Sequence, residues 1–220
     1  MKISRKKFKL WGNRLLDFFF PGICPVCEGL PFEDEESYMC IECIDSLQWI
    51  EGSRCRFCGI PLGGLDFDGL SCTNCRERNF SFDQGKSMFL LNADGKRLIH
   101  EIKYHGVKGL LSDFPHWLER SPGFAEFISD SLLIPVPLHR RKQIQRGFNQ
   151  SLWIAKAMAS SAEGDTRVLE GLKRIRNTPS QTSLDRKERA NNLKQAFALR
   201  NKKELNKHAR IVLILSLIHI

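Results

Sequence analysis

"SLLIPVPLHRRKQIQRGFNQSLWIAKAMA", residues 131–159, joins an apolar run to a basic stretch and then to a helical pattern. The run 131–137 has the length and composition of a buried strand and contains two prolines. From about residue 149 to 160, apolar residues such as Leu152, Ala155 and Met158 recur at helical spacing. Strand, loop and helix in that order predict an α/β fold.

The stretch between this strand and this helix contains four cationic residues and no acidic one. In open α/β sheets, ligands bind beyond the carboxyl ends of the strands, and a helix N-terminus exposes N–H groups that attract phosphate. Arginine binds phosphate bidentately, so the segment favours a site for phosphate or nucleic acid over a merely solvated basic loop. The candidate residues of this site are Arg141, Arg146, Gly147, Asn149 and Gln150.

The overall charge of the chain points the same way. Its 220 residues carry a formal net charge of +9, which favours an anionic partner such as nucleic acid, a phosphorylated small molecule or an anionic membrane surface. The alternative is a basic surface without a function, but the charge is clustered: residues 172–210 contain twelve Lys/Arg against three Asp/Glu. The length suits one medium domain plus a small one, and the ordinary apolar content argues against general disorder.

Eight cysteines occur as four Cys-x-x-Cys pairs within about fifty residues. Two such pairs supply four thiolates for a closed tetrahedral zinc site, which is structural rather than catalytic. A disulfide framework would need an oxidising compartment, and a redox Cys-x-x-Cys usually occurs once. We therefore predict two zinc ions, bound by Cys24, Cys27, Cys40, Cys43, Cys55, Cys58, Cys72 and Cys75.

The assignment of these pairs to the two ions has two solutions. Sequential pairing joins the first pair to the second and the third to the fourth, whereas interleaved pairing joins the first to the third and the second to the fourth. We favour sequential pairing because each closed loop is then short. In either case the metal replaces much of the hydrophobic core of this small unit.

The N-terminal stretch 1–20 has a basic start but lacks the features of a signal peptide. Its apolar part is interrupted by Asn13, Arg14 and Asp17, and no small-residue cleavage site follows. We expect a short amphipathic helix here, no membrane-spanning segment, and a cytoplasmic location.

The segment after the cysteines predicts a strand at 87–91 and a turn at Asp94-Gly95. A helix carrying Leu98 and Ile102 should follow, and then a second helix over 107–119 with Pro115 as a flaw. His105, in "KYHG" (103–106), stands at a helix end before glycine, where a cap or a solvated side chain is the usual role, so the sequence predicts no function for it.

Four features of the sequence carry a resemblance to a known family. "LIPVPLHRRKQIQRGFNQSLWIAKAMA" resembles the ComF family, proteins with an N-terminal zinc ribbon region and a phosphoribosyltransferase-like domain. The four cysteine pairs match its zinc part, and "LIHEIKYHG" (98–106) looks like one of its helices. "RNTPSQTSLDRKERANNLKQAFAL" (176–199) resembles its next signature, in which the recurrent positions include Thr178, Gln181, Arg189 and Asn192.

The resemblance implies a type I phosphoribosyltransferase-like domain with a mainly parallel sheet. It implies that the loop after "IPVP" contacts pyrophosphate, that residues 174–192 form a mobile basic loop, and that Mg²⁺ accompanies phosphoribosyl diphosphate in a full-length version. The family is associated with DNA uptake in natural transformation and with handling single-stranded DNA. We accordingly expect three regions: an amphipathic segment 1–20, a double zinc ribbon 21–78 and the phosphoribosyltransferase-like domain 79–220.

The chain departs from the family pattern near its end. After "KHARIVLI" (207–214) the family continues with paired acidic residues and a Thr-Thr-Gly loop that grips phosphate and ribose, where this chain reads "LSLIHI" (215–220). We therefore expect a C-terminally truncated, incomplete domain that transfers no phosphoribosyl group, and we assign no catalytic residue.

Three functions remain open at this point. The first is a DNA-uptake protein that binds single-stranded DNA or a phosphorylated ligand. The second is a phosphoribosyltransferase, in a full-length parent. The third is an interaction module whose zinc ribbons dock a helicase or a membrane channel protein.

Overall fold

The structure is a computed structural model that describes residues 23–29, 37–62, 71–178, 185–200, 202–205 and 210–216. Its α-helices are α1 Ile41–Ser46, α2 Thr73–Arg76, α3 Ala93–His100, α4 Phe114–Glu119, α5 Phe124–Ile128, α6 Arg140–Arg146, α7 Gln150–Ser161, α8 Arg186–Leu193 and α9 Lys202–Leu205. A π-helical turn covers Glu101–His105, and a 3₁₀ helix covers Lys108–Asp113. The strands are β1 Gln48–Trp49, β2 Phe89–Leu90, β3 Leu132–Pro135, β4 Arg167–Val168, β5 Leu172–Arg174, β6 Phe197–Leu199 and β7 Ile211–Ile214.

A three-stranded parallel sheet confirms the predicted α/β fold class. Strand β3 lies in the centre, with β4 on one side and β7 on the other. Every residue of β3 is buried, as its continuous apolar run predicts for a parallel strand covered on both faces. Helix α7 packs against this sheet, so the strand, basic stretch and helix of residues 131–159 form one α/β unit.

Helix α7 begins where the sequence indicated. Asn149 is its N-cap, and the Asn149 side chain accepts a hydrogen bond from the Ser151 N–H. Ala155 and Met158 are buried, as predicted, and Ile154 is buried beside them. The helix is fixed by this cap and by the apolar side that packs on the sheet.

The basic stretch before α7 is not a continuous loop, and in this the prediction was wrong. Arg140–Arg146 form helix α6, which the His139 side chain caps by accepting the Arg141 N–H and which ends at Gly147 with φ of 82°. None of the α6 residues is buried. Because α6 buries no apolar face, its sequence has no apolar periodicity from which a helix could be predicted.

The predicted turn at Asp94-Gly95 was also wrong, because both residues lie in the first turn of α3. The Asn92 side chain accepts the Gly95 N–H at 2.8 Å and so caps the helix. An Asp-Gly pair after an N-cap residue suits a helix start as well as a turn, and the cap decides the outcome.

The predicted helix over 107–119 is two elements. The 3₁₀ helix Lys108–Asp113 runs directly into α4, and Pro115 lies in the first turn of α4, where its missing N–H costs nothing. The flaw expected at Pro115 is thus the start of a helix.

The cysteine region and the α/β unit share one hydrophobic core. Met39, Cys43 and Ile44 belong to the same buried cluster as Leu98 and Phe114. Strand β1 also pairs antiparallel with β2, close to the predicted strand 87–91, which ties the two regions together. The second group of cysteines has a separate small core with Phe57, Ile60, Leu62 and Phe80 packed against it.

A two-stranded antiparallel ribbon of β5 and β6 lies beside the sheet, with α8 between the two strands in sequence. Helix α8 has a capping box, in which Asp185 and Glu188 satisfy each other's backbone N–H groups. Part of the stretch 174–192, predicted as a mobile loop from the resemblance, is therefore strand and helix.

Some expectations fall on residues that the structure does not describe. The predicted amphipathic segment 1–20 lies outside the described residues, and so does Gln181. The three domain boundaries stay predictions. Among the described helices, none combines the length and apolar character that crossing a bilayer would take.

Candidate zinc centres and basic cluster

The first cysteine cluster contains Cys24, Cys27, Cys40 and Cys43. Their four Sγ atoms lie within 4.8 Å of one another, and the Sγ atoms of Cys27 and Cys40 are 3.6 Å apart. Cys40 stands at the N-terminus of α1, which carries Cys43 one turn later. The Gly29 N–H points to the Cys27 Sγ at 3.4 Å, as a knuckle requires.

The second cysteine cluster contains Cys55, Cys58, Cys72 and Cys75, again within 4.8 Å. The Sγ atoms of Cys58 and Cys72 are 3.7 Å apart, and the Cys72 N–H donates to the Cys55 Sγ. Cys72 precedes α2, and Cys75 lies within it. Both clusters therefore follow the sequential pairing, with one knuckle and one helix start in each.

The cysteine clusters fit zinc. Four thiolates bound at about 2.3 Å around a tetrahedral ion stand about 3.8 Å apart, close to the distances in both clusters. Backbone N–H donors outweigh the burial of Cys55 and lower its pKa to about 6. Burial raises the pKa of Cys40 and of Cys75 to about 11, so those thiols lose their protons on binding the metal.

Four cations converge near the carboxyl end of β3: Lys103, Lys142, Arg146 and Arg174, hereafter the basic cluster. Lys142 is the centre of this group. Burial lowers the pKa of Lys142, and the positive charges of Arg174, Arg146 and Lys103 lower it further. Among the ion pairs of described residues, none joins the basic cluster to a carboxylate.

Thr178 connects two members of the basic cluster. Lys142 Nζ donates to the Thr178 carbonyl at 3.0 Å, and the Arg174 guanidinium donates to the Thr178 hydroxyl. Thr178 is buried. Burial lowers the pKa of Arg174, and its Nε is buried with no hydrogen-bond partner among the described residues. The contacts to Thr178 hold Arg174 and Lys142 beside each other.

Tyr104 joins the other two members. Lys103 Nζ lies 4.8 Å and the Arg146 guanidinium 5.3 Å from the centre of the Tyr104 ring. Arg146 also donates to Gln150 Oε1 at 2.7 Å, which holds the guanidinium at the start of α7. The aromatic face lets two like charges share one surface.

The structure places the predicted phosphate residues in different roles. Arg146 and Gln150 contact each other beside the basic cluster, whereas the Arg141 side chain is exposed on α6. Gly147 ends α6, and Asn149 is buried, where its amide donates to the Val136 carbonyl. Gly147 and Asn149 thus shape the backbone between strand and helix.

The residues predicted from the family signature are described only in part. Thr178 contacts the basic cluster, and Asn192 lies in α8 with at least one interaction of its own. Arg189 lies in α8 as well. These assignments remain predictions.

Lys103, Lys142 and Arg174 were not predicted as site residues. Lys103 lies in "KYHG" and Lys142 in the basic stretch, so both were visible as charges. Their convergence depends on the packing of the π-helical turn, α6 and β5, which no local pattern reports.

Comparison with known proteins finds one matching domain family and several relatives. Residues 15–78 match the double zinc ribbon domain. A DNA utilization protein, YhgH, of Salmonella typhi is 26% identical over 188 residues, covering 81% of this chain and 78% of that protein. Competence protein F of Haemophilus influenzae is 23% identical over 201 residues, covering 81% and 83%.

Competence protein ComFC of Bacillus subtilis is 26% identical over 151 residues, covering 62% of each chain. No solved structure matches. The two cysteine clusters and the ribbon match support two zinc ions per chain. Together, the double zinc ribbon and these relatives support the resemblance to the ComF family that the sequence motifs carry.

Proposed function

We propose that the chain takes part in DNA uptake, on the cytoplasmic side, by binding single-stranded DNA through the basic cluster. The relatives named above are competence and DNA utilization proteins, which supports the biological role. The observation that carries the proposal is the convergence of four cations without a described carboxylate partner. Such a surface attracts a phosphate backbone whatever its base sequence.

The physical features of the basic cluster support contact with several phosphates. Lys142 is partly desolvated among like charges, so binding of an anion relieves their repulsion. Exposed Arg140 and Arg141 on α6 extend the positive surface beyond the cluster. The zinc ribbons have closed ligand sets and supply structure rather than chemistry.

The test is binding of a fluorescent oligothymidylate of about 16 nucleotides, followed by anisotropy over a range of salt. We expect K142Q/R146Q to weaken binding at low salt. Each lost phosphate contact should flatten the slope of log K against log salt by about 0.7. The matched control is Lys173→Gln, because Lys173 is exposed on β5 and points to the opposite face from Arg174.

The outcomes separate the open functions. Unchanged affinity and slope in K142Q/R146Q, with zinc content and melting temperature retained, would overturn the proposal. Absence of any salt-dependent DNA binding would favour the ribbons as a module that docks a helicase or a channel protein.

A second candidate ligand is phosphoribosyl diphosphate. The observation in its favour is the location of Arg146 and Gln150 between the carboxyl end of a parallel strand and a twelve-residue helix, where phosphorylated small molecules bind in α/β folds. Competition of phosphoribosyl diphosphate with the oligonucleotide would support a shared site. Mg²⁺ should strengthen that competition if the diphosphate binds as its metal complex.

A further inference from the structure

Three side chains with metal-binding atoms meet where α3 passes into the π-helical turn. His105 Nδ1 lies 2.8 Å from Glu101 Oε2, and His100 Nδ1 lies 3.7 Å from Glu101 Oε1. One ligand atom from each of the three residues falls within 4.8 Å of the others. The two carboxylate oxygens of Glu101 therefore face one imidazole each.

The π-helical turn creates this arrangement. In an α-helix, residues five positions apart point about 140° away from each other. Here the Gly106 N–H bonds to the Glu101 carbonyl, and the wider turn brings the His105 ring to 5.1 Å from the His100 ring. Single π-helical turns of this kind occur frequently at functional sites.

Exposure of the three side chains suits a ligand that arrives from solvent. The side chain of Glu101 is only 18% exposed, whereas those of His100 and His105 are 54% and 59% exposed. The carboxylate is thus largely covered by the protein, whereas both imidazoles are accessible to an ion from solvent.

We propose that His100, Glu101 and His105 bind a divalent first-row transition metal, at a site separate from the cysteine clusters. Two imidazole nitrogens and one carboxylate oxygen suit zinc and its neighbours. Bonds of about 2.0–2.2 Å require ligand atoms roughly 3 to 3.5 Å apart, so a small rotation of the exposed His100 ring completes the set. Binding through His105 Nδ1 requires the neutral imidazole to carry its proton on Nε2, and a metal with three protein ligands keeps an open position for water or an anion.

The proposed metal site lies next to the basic cluster. The His100 ring lies 4.8 Å from the Tyr104 ring, and Tyr104 contacts Lys103 and Arg146 of the basic cluster. A bound dication would extend the same positive surface. The proposed metal site is independent of the proposed DNA binding, because its geometry involves neither DNA nor the basic cluster.

The test uses the tag-free chain with both cysteine clusters saturated by two equivalents of zinc. Titration with further Zn²⁺, followed by calorimetry and a competing indicator, should reveal a saturable third equivalent. H100A and H105A should each weaken it by more than about tenfold, the loss that even an outer-shell change causes, and keep the first two ions. Both positions are exposed, so both variants should fold.

His116→Ala is the matched control. His116 is also exposed on a helix, with Glu119 4.0 Å away, but among the described residues it belongs to no three-residue cluster of metal-binding side chains. The third equivalent should survive this change, and the imidazole ¹⁵N signals of His100 and His105 should shift on its addition. Absence of a third equivalent, or one that H100A and H105A leave intact, would overturn the proposal.

Discussion

The Asp113 carboxylate accepts the backbone N–H of Met39 at 2.8 Å, across 74 residues of chain. Its other oxygen accepts the Tyr38 N–H, also at 2.8 Å. Asp113 is fully buried and stands at the end of the 3₁₀ helix, just before α4. One side chain therefore fixes the segment that leads into the first zinc centre against the α/β unit.

Replacing Asp113 by alanine should destabilise the whole chain. Two backbone N–H donors would lose their acceptor, one of them in a fully buried bond, at a cost of about 2–4 kcal/mol. Chemical denaturation followed by circular dichroism would measure the change. Asp165→Asn is the control, because Asp165 is exposed and should alter stability little. Equal effects of the two substitutions would contradict this role of Asp113.

Asp113 also predicts a dependence of stability on pH. Burial raises the pKa of Asp113 above its ordinary value of 3.8, against the lowering effect of the Tyr38 and Met39 N–H donors. A raised pKa means that the folded state holds the proton more tightly. The stabilisation is complete below the unfolded pKa and is lost as pH rises through the folded pKa. The stability advantage of the wild type over D113N should therefore shrink as the pH rises above about 4.

The two cysteine clusters should respond differently to loss of a ligand. Cys43 belongs to the main core, whereas Cys75 belongs to the small separate core. Each serine variant should lose one zinc ion of two, measured by mass spectrometry under native conditions. C43S should lower the thermal midpoint of the whole chain, and C75S should leave that of the α/β unit nearly unchanged. Equal losses would indicate that both clusters depend on one core.

Gly106→Ala should lower the free energy of unfolding by more than the strain of its backbone conformation alone explains. Gly106 has φ of 69°, and a methyl group there would stand 3.0 Å from Phe148 Cε1. Gly52 has φ of 65° with nothing within 4 Å of the same position, so G52A reports only the backbone cost of roughly 1–2 kcal/mol. G106A should exceed G52A in equilibrium unfolding and disturb the stacked Phe148 and Trp153 rings. If G106A loses no more unfolding free energy than G52A, the Phe148 ring moves aside to make room for the methyl group.

Asn149 should not tolerate aspartate. The Asn149 amide caps α7 by accepting the Ser151 N–H and donates to the Val136 carbonyl at 3.2 Å. N149A removes the cap at a cost of about 1 kcal/mol and leaves a carbonyl without its donor. N149D keeps the cap but buries a carboxylate against that carbonyl, so it should be the less stable of the two by thermal melting. The reverse order would show that the hydrogen bond that caps α7 contributes more stability than the one from Asn149 to the Val136 carbonyl.

Features set by local chemistry were predictable from the sequence, and the cysteines illustrate this best. Ligand spacing alone predicts two closed clusters, and the short loops favour the sequential grouping that the structure has. Asn149 and β3 were predictable for similar reasons, since a cap residue and a continuous apolar run are local signals. Helix α6 was not predictable, because none of its residues is buried and no periodicity marks it.

The basic cluster and the His100–Glu101–His105 site depend on tertiary structure. Arg174 lies on β5, Lys142 on α6 and Lys103 in the π-helical turn, so only packing brings their charges together. His105 could not be assigned from "KYHG", because α-helical spacing would turn it away from His100. The wider turn that joins them leaves no pattern in the sequence.

The shared core has a consequence for the order of events during synthesis. Met39, Cys43 and Ile44 leave the ribosome well before Leu98 and Phe114, which cover them in the folded chain. The first zinc-binding segment must therefore wait, with apolar surface uncovered, until the chain beyond it has been made. The second cysteine cluster carries its own aromatic cover from Phe57 and Phe80 and can close early. The second cysteine cluster, although it is made later, can thus complete its metal site before the first.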